Sequence, residues 1–263
     1  MQATFEMLKI AYFLAKRDIQ STYARSALGI VWLVLRPLVL LSVYSLVYGR
    51  VLRLGWSDPG NGTDLGFIAP FFCGILPYLT FSEVVFGAMS SILSKRSMIG
   101  STNIPMSAYV WSTLIRSVVS SVIQTLLLIM FILYMGYFNV NTLWVIALGN
   151  ILLFALLIPL AFSIAMLAPF FSDLSEILRV IVRFSFYLAP IAYPINLVDS
   201  EYRILLYANP LSFIVEFFRN SVYSTFHGPP LEAFYFYAFF CCLFFGISVL
   251  FVKKLSGVIV DVL

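Results

Sequence analysis

Charge is scarce in this chain. Only 11% of its 263 residues are Asp, Glu, Lys or Arg, against about a quarter in an ordinary soluble domain. Histidine is nearly absent. The single His227 sits in a polar Phe-His-Gly-Pro-Pro turn, which excludes histidine-based metal sites and Ser-His-Asp chemistry. The three cysteines, Cys73, Cys241 and Cys242, fall inside apolar runs without metal-ligand spacing and are expected to be inert packing residues. No Gly-x-x-x-x-Gly-Lys-Ser/Thr loop and no dinucleotide fingerprint occurs, so any ATP-driven work needs a separate energy-supplying subunit. The net charge of +4 comes without a basic run long enough to track a phosphate backbone, so no nucleic-acid partner is expected.

What fills the chain is apolar surface, at 62% of residues. One soluble core cannot hide that much, whereas hydrocarbon accepts it. The predicted fold class is an all-α integral membrane protein forming a single permease-like domain over 1–263. Six spans are expected at Ile30–Gly49, Gly66–Met89, Tyr109–Tyr134, Leu143–Leu167, Ile177–Tyr193 and Ala233–Val252. Each is near the roughly 20 residues that cross a bilayer as a helix. No cleavable signal peptide opens the sequence. Instead Phe5, Leu8, Tyr12, Ala15 and Ile19 repeat at helical spacing, with Glu6, Lys9, Lys16, Arg17 and Gln20 off the stripe. That pattern predicts an amphipathic interface helix within 1–27, lying on the membrane surface or packed on its own protein.

The segment Pro190–Tyr223 does not fit a plain span. It is broken by Pro190, Pro194 and Pro210 and carries Asp199, Glu201, Arg203, Glu216 and Arg219. Short helices dipping into the membrane from one side are expected over 194–224, because irregular backbone at that depth survives only where protein or a water-filled cavity covers it. Lys9, Lys16, Arg17, Arg25, Lys95, Arg96, Lys253 and Lys254 outnumber Arg50, Arg53, Arg203 and Arg219 on the other side, which places both termini in the cytoplasm.

Intramembrane charges are few. Glu83 and Arg116 are candidates either for an ion pathway or for a structural salt bridge. Arg179 and Arg183, one turn apart, are placed to meet a lipid headgroup or polyanion, or to snorkel to the interface. Aromatics are plentiful instead, at 17%. Tyr44, Tyr48, Phe184, Phe186, Tyr187 and Tyr193 lie in or beside the first and fifth expected spans. Sugar rings stack their C–H faces on such side chains while their hydroxyls stay wet, so these six are candidates to line a carbohydrate passage. Packing and lipid contact are the competing roles for each ring.

Several motifs carry a family resemblance. Ala15-Lys-Arg-Asp-Ile-Gln-Ser-Thr-Tyr-Ala-Arg-Ser-Ala-Leu-Gly-Ile-Val-Trp32, with Leu35-Arg-Pro37 after it, resembles the entry to the first span in permeases of polysaccharide ATP-binding-cassette exporters, which move O-antigen, teichoic acid and capsule. Arg17, Asp18, Tyr23, Ser26, Leu28, Gly29, Trp32 and Pro37 match that pattern. Phe71-Phe-Cys-Gly-Ile-Leu-Pro-Tyr78, Phe81-Ser82, Phe171-Ser-Asp173, Pro190-Ile-Ala-Tyr-Pro194, Asn209-Pro210 and Arg219 follow in the family's order. One loop departs from it: Met98-Ile99 is followed by Gly100-Ser101, and Ile104-Pro105 replaces an aromatic-Pro.

The resemblance implies a homodimeric permease of the bacterial inner membrane, with a lipid-linked polysaccharide passing between the two copies and membrane lipid around them. Two nucleotide-binding subunits would bind the ATP and Mg, leaving no cofactor and no catalytic or metal residue in this chain. ATPase coupling would fall to Arg17 and Asp18 of the first helix and to Lys95, Arg96, Ser97, Met98, Ile99 and Pro105 of the loop. Lys95 and Arg96 are placed to compensate for that loop's altered sequence. Pro190, Pro194, Asn209, Pro210 and Arg219 would form the gate. A drug or small-lipid exporter of the same architecture is the alternative.

Overall fold

The structure, a computed structural model, describes residues 2–24, 26–51, 65–99, 104–136, 138–220 and 229–259. Arg25, Arg53, Gly100, Ser101, Tyr223 and His227 lie outside these residues, as do the side chains of Tyr23, Arg50, Ser97 and Met98. The described residues are helical and turn structure without strands. The helices are α1 (Gln2–Tyr23), α2 (Trp32–Tyr44), α3 (Leu65–Leu93), α4 (Arg96–Ile99), α5 (Met106–Met135), α6 (Val140–Leu167), α7 (Leu174–Leu188), α8 (Ser200–Tyr207), α9 (Pro210–Arg219) and α10 (Leu231–Leu255). A short 3-10 turn, Gly29–Val31, leads into α2, and a π-helical stretch, Ser45–Val51, extends it.

Five helical stretches are long and apolar enough to cross a bilayer: Gly29–Tyr48, Ile68–Leu93, Met106–Met135, Asn141–Leu167 and Leu231–Leu255. They fall on five of the six expected spans. The remaining one, expected at Ile177–Tyr193, is not a continuous helix. It is the 15-residue α7 followed by an irregular stretch, and at 1.5 Å per residue α7 covers only about 22 Å.

The central helix is α3. Its Phe71, Phe72, Cys73, Ile75, Val84, Val85, Ala88 and Ile92 are all essentially inaccessible, and α2, α5, α6, α7 and α9 pack around it. Lipid supplies no hydrophobic drive between helices, so polar side chains and small residues join them. Thr80 on α3 donates to Gln124 Oε1 on α5 at 3.1 Å. Ser121 on α5 donates to Asn150 Oδ1 on α6 at 2.8 Å, and Asn150 Nδ2 donates to Thr125 Oγ1 at 3.2 Å. Helix ends carry their own signals. Asn139 caps α6 by accepting from the Asn141 amide at 3.3 Å, and Gly136 closes α5 with φ of 76°.

The N-terminal helix has three faces rather than two. Ala11, Leu14 and Ala15 are buried, with Met7 accepting a 3.0 Å hydrogen bond from the Ser107 hydroxyl of α5. Phe5, Leu8 and Tyr12, from the expected apolar stripe, are exposed at 61%, 40% and 56%. The charged face with Lys9, Lys16 and Arg17 is exposed as well. The helix therefore packs lengthwise on α5 while still offering an apolar strip to lipid.

Gly87 sets the closest approach between α3 and α5. A Cβ there would lie 2.6 Å from Thr113 Cγ2, on a β-branched side chain with little rotamer freedom. Gly87→Ala is expected to lower stability by about 1–3 kcal/mol, read as an earlier unfolding midpoint in detergent. Adding Thr113→Ala should restore most of the loss, and failure of that rescue would mean the contact does not limit the packing.

Candidate functional site

Three helices bring an aromatic cluster together. Tyr44 at the end of α2 and Tyr48, one turn on in the π-helical stretch, stack at 5.8 Å between centroids. Tyr44 also meets Phe71 of α3 at 5.2 Å and Phe186 of α7 at 5.5 Å. Phe186 is edge-on to Tyr78 at 5.1 Å and to Tyr187 at 5.3 Å. Such offset and edge geometries satisfy the ring quadrupoles. Of the six rings singled out from sequence, Tyr44, Tyr48, Phe186 and Tyr187 belong to this cluster. Tyr193 joins at its margin, its hydroxyl donating to the Tyr187 carbonyl at 2.6 Å. Phe184 does not: it is 61% exposed, on the face of α7 turned away from α3 with Ile177, Val180, Ile181 and Leu188. Sequence reasoning missed Phe71 and Tyr78 as members. Their seven-residue spacing, which puts both on one face of α3, was the available signal.

The reason α7 sits where it does is its strong two-sidedness. Leu178, Val182 and Phe186, each four residues apart, are buried against the protein, and Tyr78 donates from its hydroxyl to the Val182 carbonyl at 3.3 Å. Arg179, Arg183 and Tyr187 form a parallel row on the next flank, all exposed. Arg179 pairs with Glu176 at 3.0 Å, both largely in the open, where such a pair contributes little. On the other side of α7 an apolar cleft of about 510 Å³ opens toward α6 and α10, lined in part by Leu156, Leu178, Phe240 and Phe244.

The proline-broken stretch is organised around one side chain. After α7 the chain turns through Ala189, Pro190, Ile191, Ala192 and Pro194, all buried. Arg219, at the end of α9, is wholly inaccessible. Its Nη2 donates to the carbonyls of Pro190 and Ile191, the latter at 2.9 Å. Nε donates to Pro70 O of α3 at 3.2 Å, and Nη1 pairs with Glu216 Oε1 at 2.6 Å. Carbonyls freed by the break are thus satisfied inside the protein, as a low-dielectric setting requires.

Asn209 holds the other end of α9. Its Oδ1 accepts from the Leu211 amide at 3.1 Å as an N-cap, Pro210 occupies the first helical position, and Nδ2 donates to Ser185 O of α7 at 3.1 Å. Helix α9 can lie this deep because Gly149 leaves room: a Cβ there would stand 2.9 Å from the Phe218 ring. Arg219 is therefore no loop charge, and it leaves the tally that set the orientation.

At the opposite end, Lys95 Nζ meets Asp18 Oδ2 at 2.5 Å, with the Tyr109 ring 5.7 Å below the ammonium. The pair fastens α1 to the corner between α3, α4 and α5. Lys95 is thus bound within the chain, beside the exposed Arg96. Arg17, Arg96 and Pro105 are exposed, whereas Ile99 is buried. Among the described residues no group of His, Cys, Asp and Glu is arranged to hold a metal.

The structure is a multi-helix membrane domain with short helices after α7, and sequence comparison gives its class. The profile of the ABC-2 type transporter family matches residues 11–223, and the chain belongs to that family. It is similar to the O-antigen export system permease protein RfbA of Myxococcus xanthus, 27% identical over 202 residues that cover 75% of this chain and 74% of the relative. It is 21% identical over 226 residues to the polysialic acid transport protein KpsM of Escherichia coli, covering 83% of each. It is also 21% identical over 220 residues to RfbA of Klebsiella pneumoniae, covering 82% of this chain and 80% of the relative.

Arg219→Met should cost about 3 kcal/mol or more, because it leaves the buried Glu216 unpaired and three carbonyls without a donor. Glu216→Gln should cost less, since Arg219 keeps its carbonyl acceptors. Unfolding midpoints in detergent check the order, and equal losses would show that the carbonyl bonds contribute nothing.

Proposed function

We propose that this chain is the membrane subunit of an ATP-driven exporter of a lipid-linked polysaccharide, of O-antigen or teichoic-acid type. The observation that carries this is the aromatic cluster of Tyr44, Tyr48, Tyr78, Phe186 and Tyr187, assembled from three helices beside an exposed Arg179–Arg183–Tyr187 row. Tyr187, 59% exposed at the edge of the cluster, offers a ring face to the C–H face of a sugar. The names of the three relatives support the same class of cargo.

Two copies face each other with α2 and α7 toward the shared passage. Exposed Leu38, Val39 and Val43 on α2, with Leu46 and Val47 on the π-helical stretch after it, supply apolar surface for a neighbouring copy or lipid. Helix α7, the turn after it and the short α8 and α9 together make the sixth passage through the bilayer. That keeps both termini on the cytoplasmic side of the inner membrane. Pro190, Pro194, Asn209 and Pro210 define the break where the outer gate bends.

The nucleotide-binding partners dock at the corner where α1 meets α4. Arg17, Arg96 and Pro105 form the outward surface, and the Lys95–Asp18 pair stiffens it from behind. A push on this corner reaches the passage by two routes, through α5 and through α3. Helix α7, clamped to α3 on one side and next to an apolar cleft on the other, is the element free to shift.

Export and coupling are tested separately. The chain co-expressed with its neighbouring ATPase should purify as a stoichiometric complex, and its removal should strip the polymer from the cell surface. Tyr44→Ala with Tyr187→Ala is expected to slow polymer export several-fold while ATP turnover changes less than twofold, in line with about 0.5–1.5 kcal/mol per aromatic contact. Unchanged export would reduce those rings to packing. Arg96→Glu should weaken stimulation of the partner's ATPase without changing membrane insertion, and normal stimulation would remove that corner from the docking surface.

A further inference from the structure

The apolar cleft beside α7 has a shape that limits what can fill it. On α7 it is lined by Leu174, Leu178, Ile181, Ser185 and Leu188, whose helical spacing puts them opposite the Arg179–Arg183–Tyr187 row. The cleft runs from Leu188, Asn209 and Pro210 at one end to Leu167 and Phe251 at the other. Spread along the roughly 22 Å of α7, its volume of about 510 Å³ gives a groove about 5–6 Å across. An α-helix with its side chains is about 10–12 Å across, so neither a second copy nor a partner's spanning helix seats in it. A single hydrocarbon chain does, because carbons pack at about 3.5–4.0 Å from one another.

The lining chemistry points the same way. No Asp, Glu, Lys, Arg or His lines the cleft. Ser163 already donates to the Pro159 carbonyl at 2.8 Å, and both polar atoms of the Asn209 side chain are engaged on α9 and α7. A polar ligand would lose its water here without a charge to meet. Ile181 and Leu188 on the rim are 48% and 41% exposed, so the groove is open to the lipid-facing surface. Charge appears only past one end. On α10 the lining residues Phe240, Phe244, Ile247 and Phe251 recur every three or four positions, and Lys254, beside Lys253, is the next place on that face. Both lysines are exposed. With Arg179 they set three cations against Asp173 and Glu176 at the start of α7, leaving an excess of positive charge.

We propose that the cleft holds one acyl chain of an anionic phospholipid, whose headgroup rests at Lys253 and Lys254. This is a resident lipid rather than cargo, because the groove lies on the opposite face of α7 from the surface proposed for the glycan. Dispersion contacts along the groove hold the chain, and the two lysines select a negative head. An occupied groove packs α7 on the side that the protein itself leaves open, so the lipid acts as an exchangeable packing partner of that helix. On the orientation proposed above, the lipid belongs to the cytoplasmic leaflet.

The test uses the full-length chain in phosphatidylcholine nanodiscs without ATP, partner subunit or polymer, so it reads the groove whether or not export is demonstrated. The probes are trace phosphatidylglycerol and phosphatidylcholine carrying the same photoreactive unbranched acyl chain, with labelled residues mapped by mass spectrometry. Phosphatidylglycerol should label the groove about tenfold more than phosphatidylcholine, the preference expected of two lysines near the membrane surface. Lys253→Gln with Lys254→Gln should abolish that preference. Ile247→Trp, which fills the groove from the α10 side, should lower groove labelling about fivefold or more. Labelling at the exposed Phe239 and Phe245 should stay unchanged in that variant, showing that the helix still spans the bilayer. Excess short polyprenyl diphosphate should not compete. Equal labelling by the two lipids, undiminished labelling in Ile247→Trp, a preference that survives loss of both lysines, or displacement by the polyprenyl diphosphate overturns the proposal.

Discussion

The buried guanidinium of Arg219 is the constraint on which the second half of the molecule depends. Removing a charge from water is affordable only when every donor is used, and here one side chain reaches a carboxylate, a carbonyl of α3 and two carbonyls of the turn after α7. Because those partners come from three elements, their relative positions are fixed together. The break at Pro190 can sit beside the central helix only while α9 is docked, and α9 docks only because Gly149 admits Phe218. Stability and irregularity are thus one arrangement: the segment least like a regular span is the one most densely satisfied.

Five spanning helices were legible from apolar runs alone, because length and hydropathy suffice where lipid is the solvent. The Ile177–Tyr193 run was not. Its apolar content reads as a span, but Leu178, Val182 and Phe186 form a stripe facing protein, and the pattern continues only to Leu188. Amphipathicity, rather than mean hydropathy, carried the information there. The N-terminal stripe was similarly half visible. Phe5, Leu8 and Tyr12 dominate the pattern because they are large, whereas the residues that dock on α5 are the small Ala11 and Ala15, which leave little trace in a hydrophobicity count. Of the site, the tyrosines of α2 and the end of α7 were readable as a concentration of rings. That Phe71 and Tyr78 complete the cluster depends on which face α3 turns to α7, a tertiary fact. The Lys95–Asp18 pair spans 77 positions and has no local signature.

Function and architecture meet in the unequal anchoring of the helices. Helix α3 is enclosed on nearly every side, and α5 is braced by α1, α3 and α6. By contrast α7 is held along one stripe, with an apolar cleft beside it. An element with contacts on one side has lower resistance to displacement than its neighbours. The aromatic and cationic row lies on that same element, so the surface proposed for cargo falls on the helix held along one stripe only.

The Glu216–Arg219 pair also bears on how the chain is made. Synthesis runs from the N-terminus, so α3 must enter the bilayer long before residue 219 exists, with Pro70 still lacking its eventual partner. When α9 emerges, its two charges arrive three residues apart and already opposed on one helical face, so they can partition from the translocon as a nearly neutral unit. Their docking then closes the turn after α7 and seals the central helix in a single late event. Until α9 docks, the face of α3 that it covers stays open.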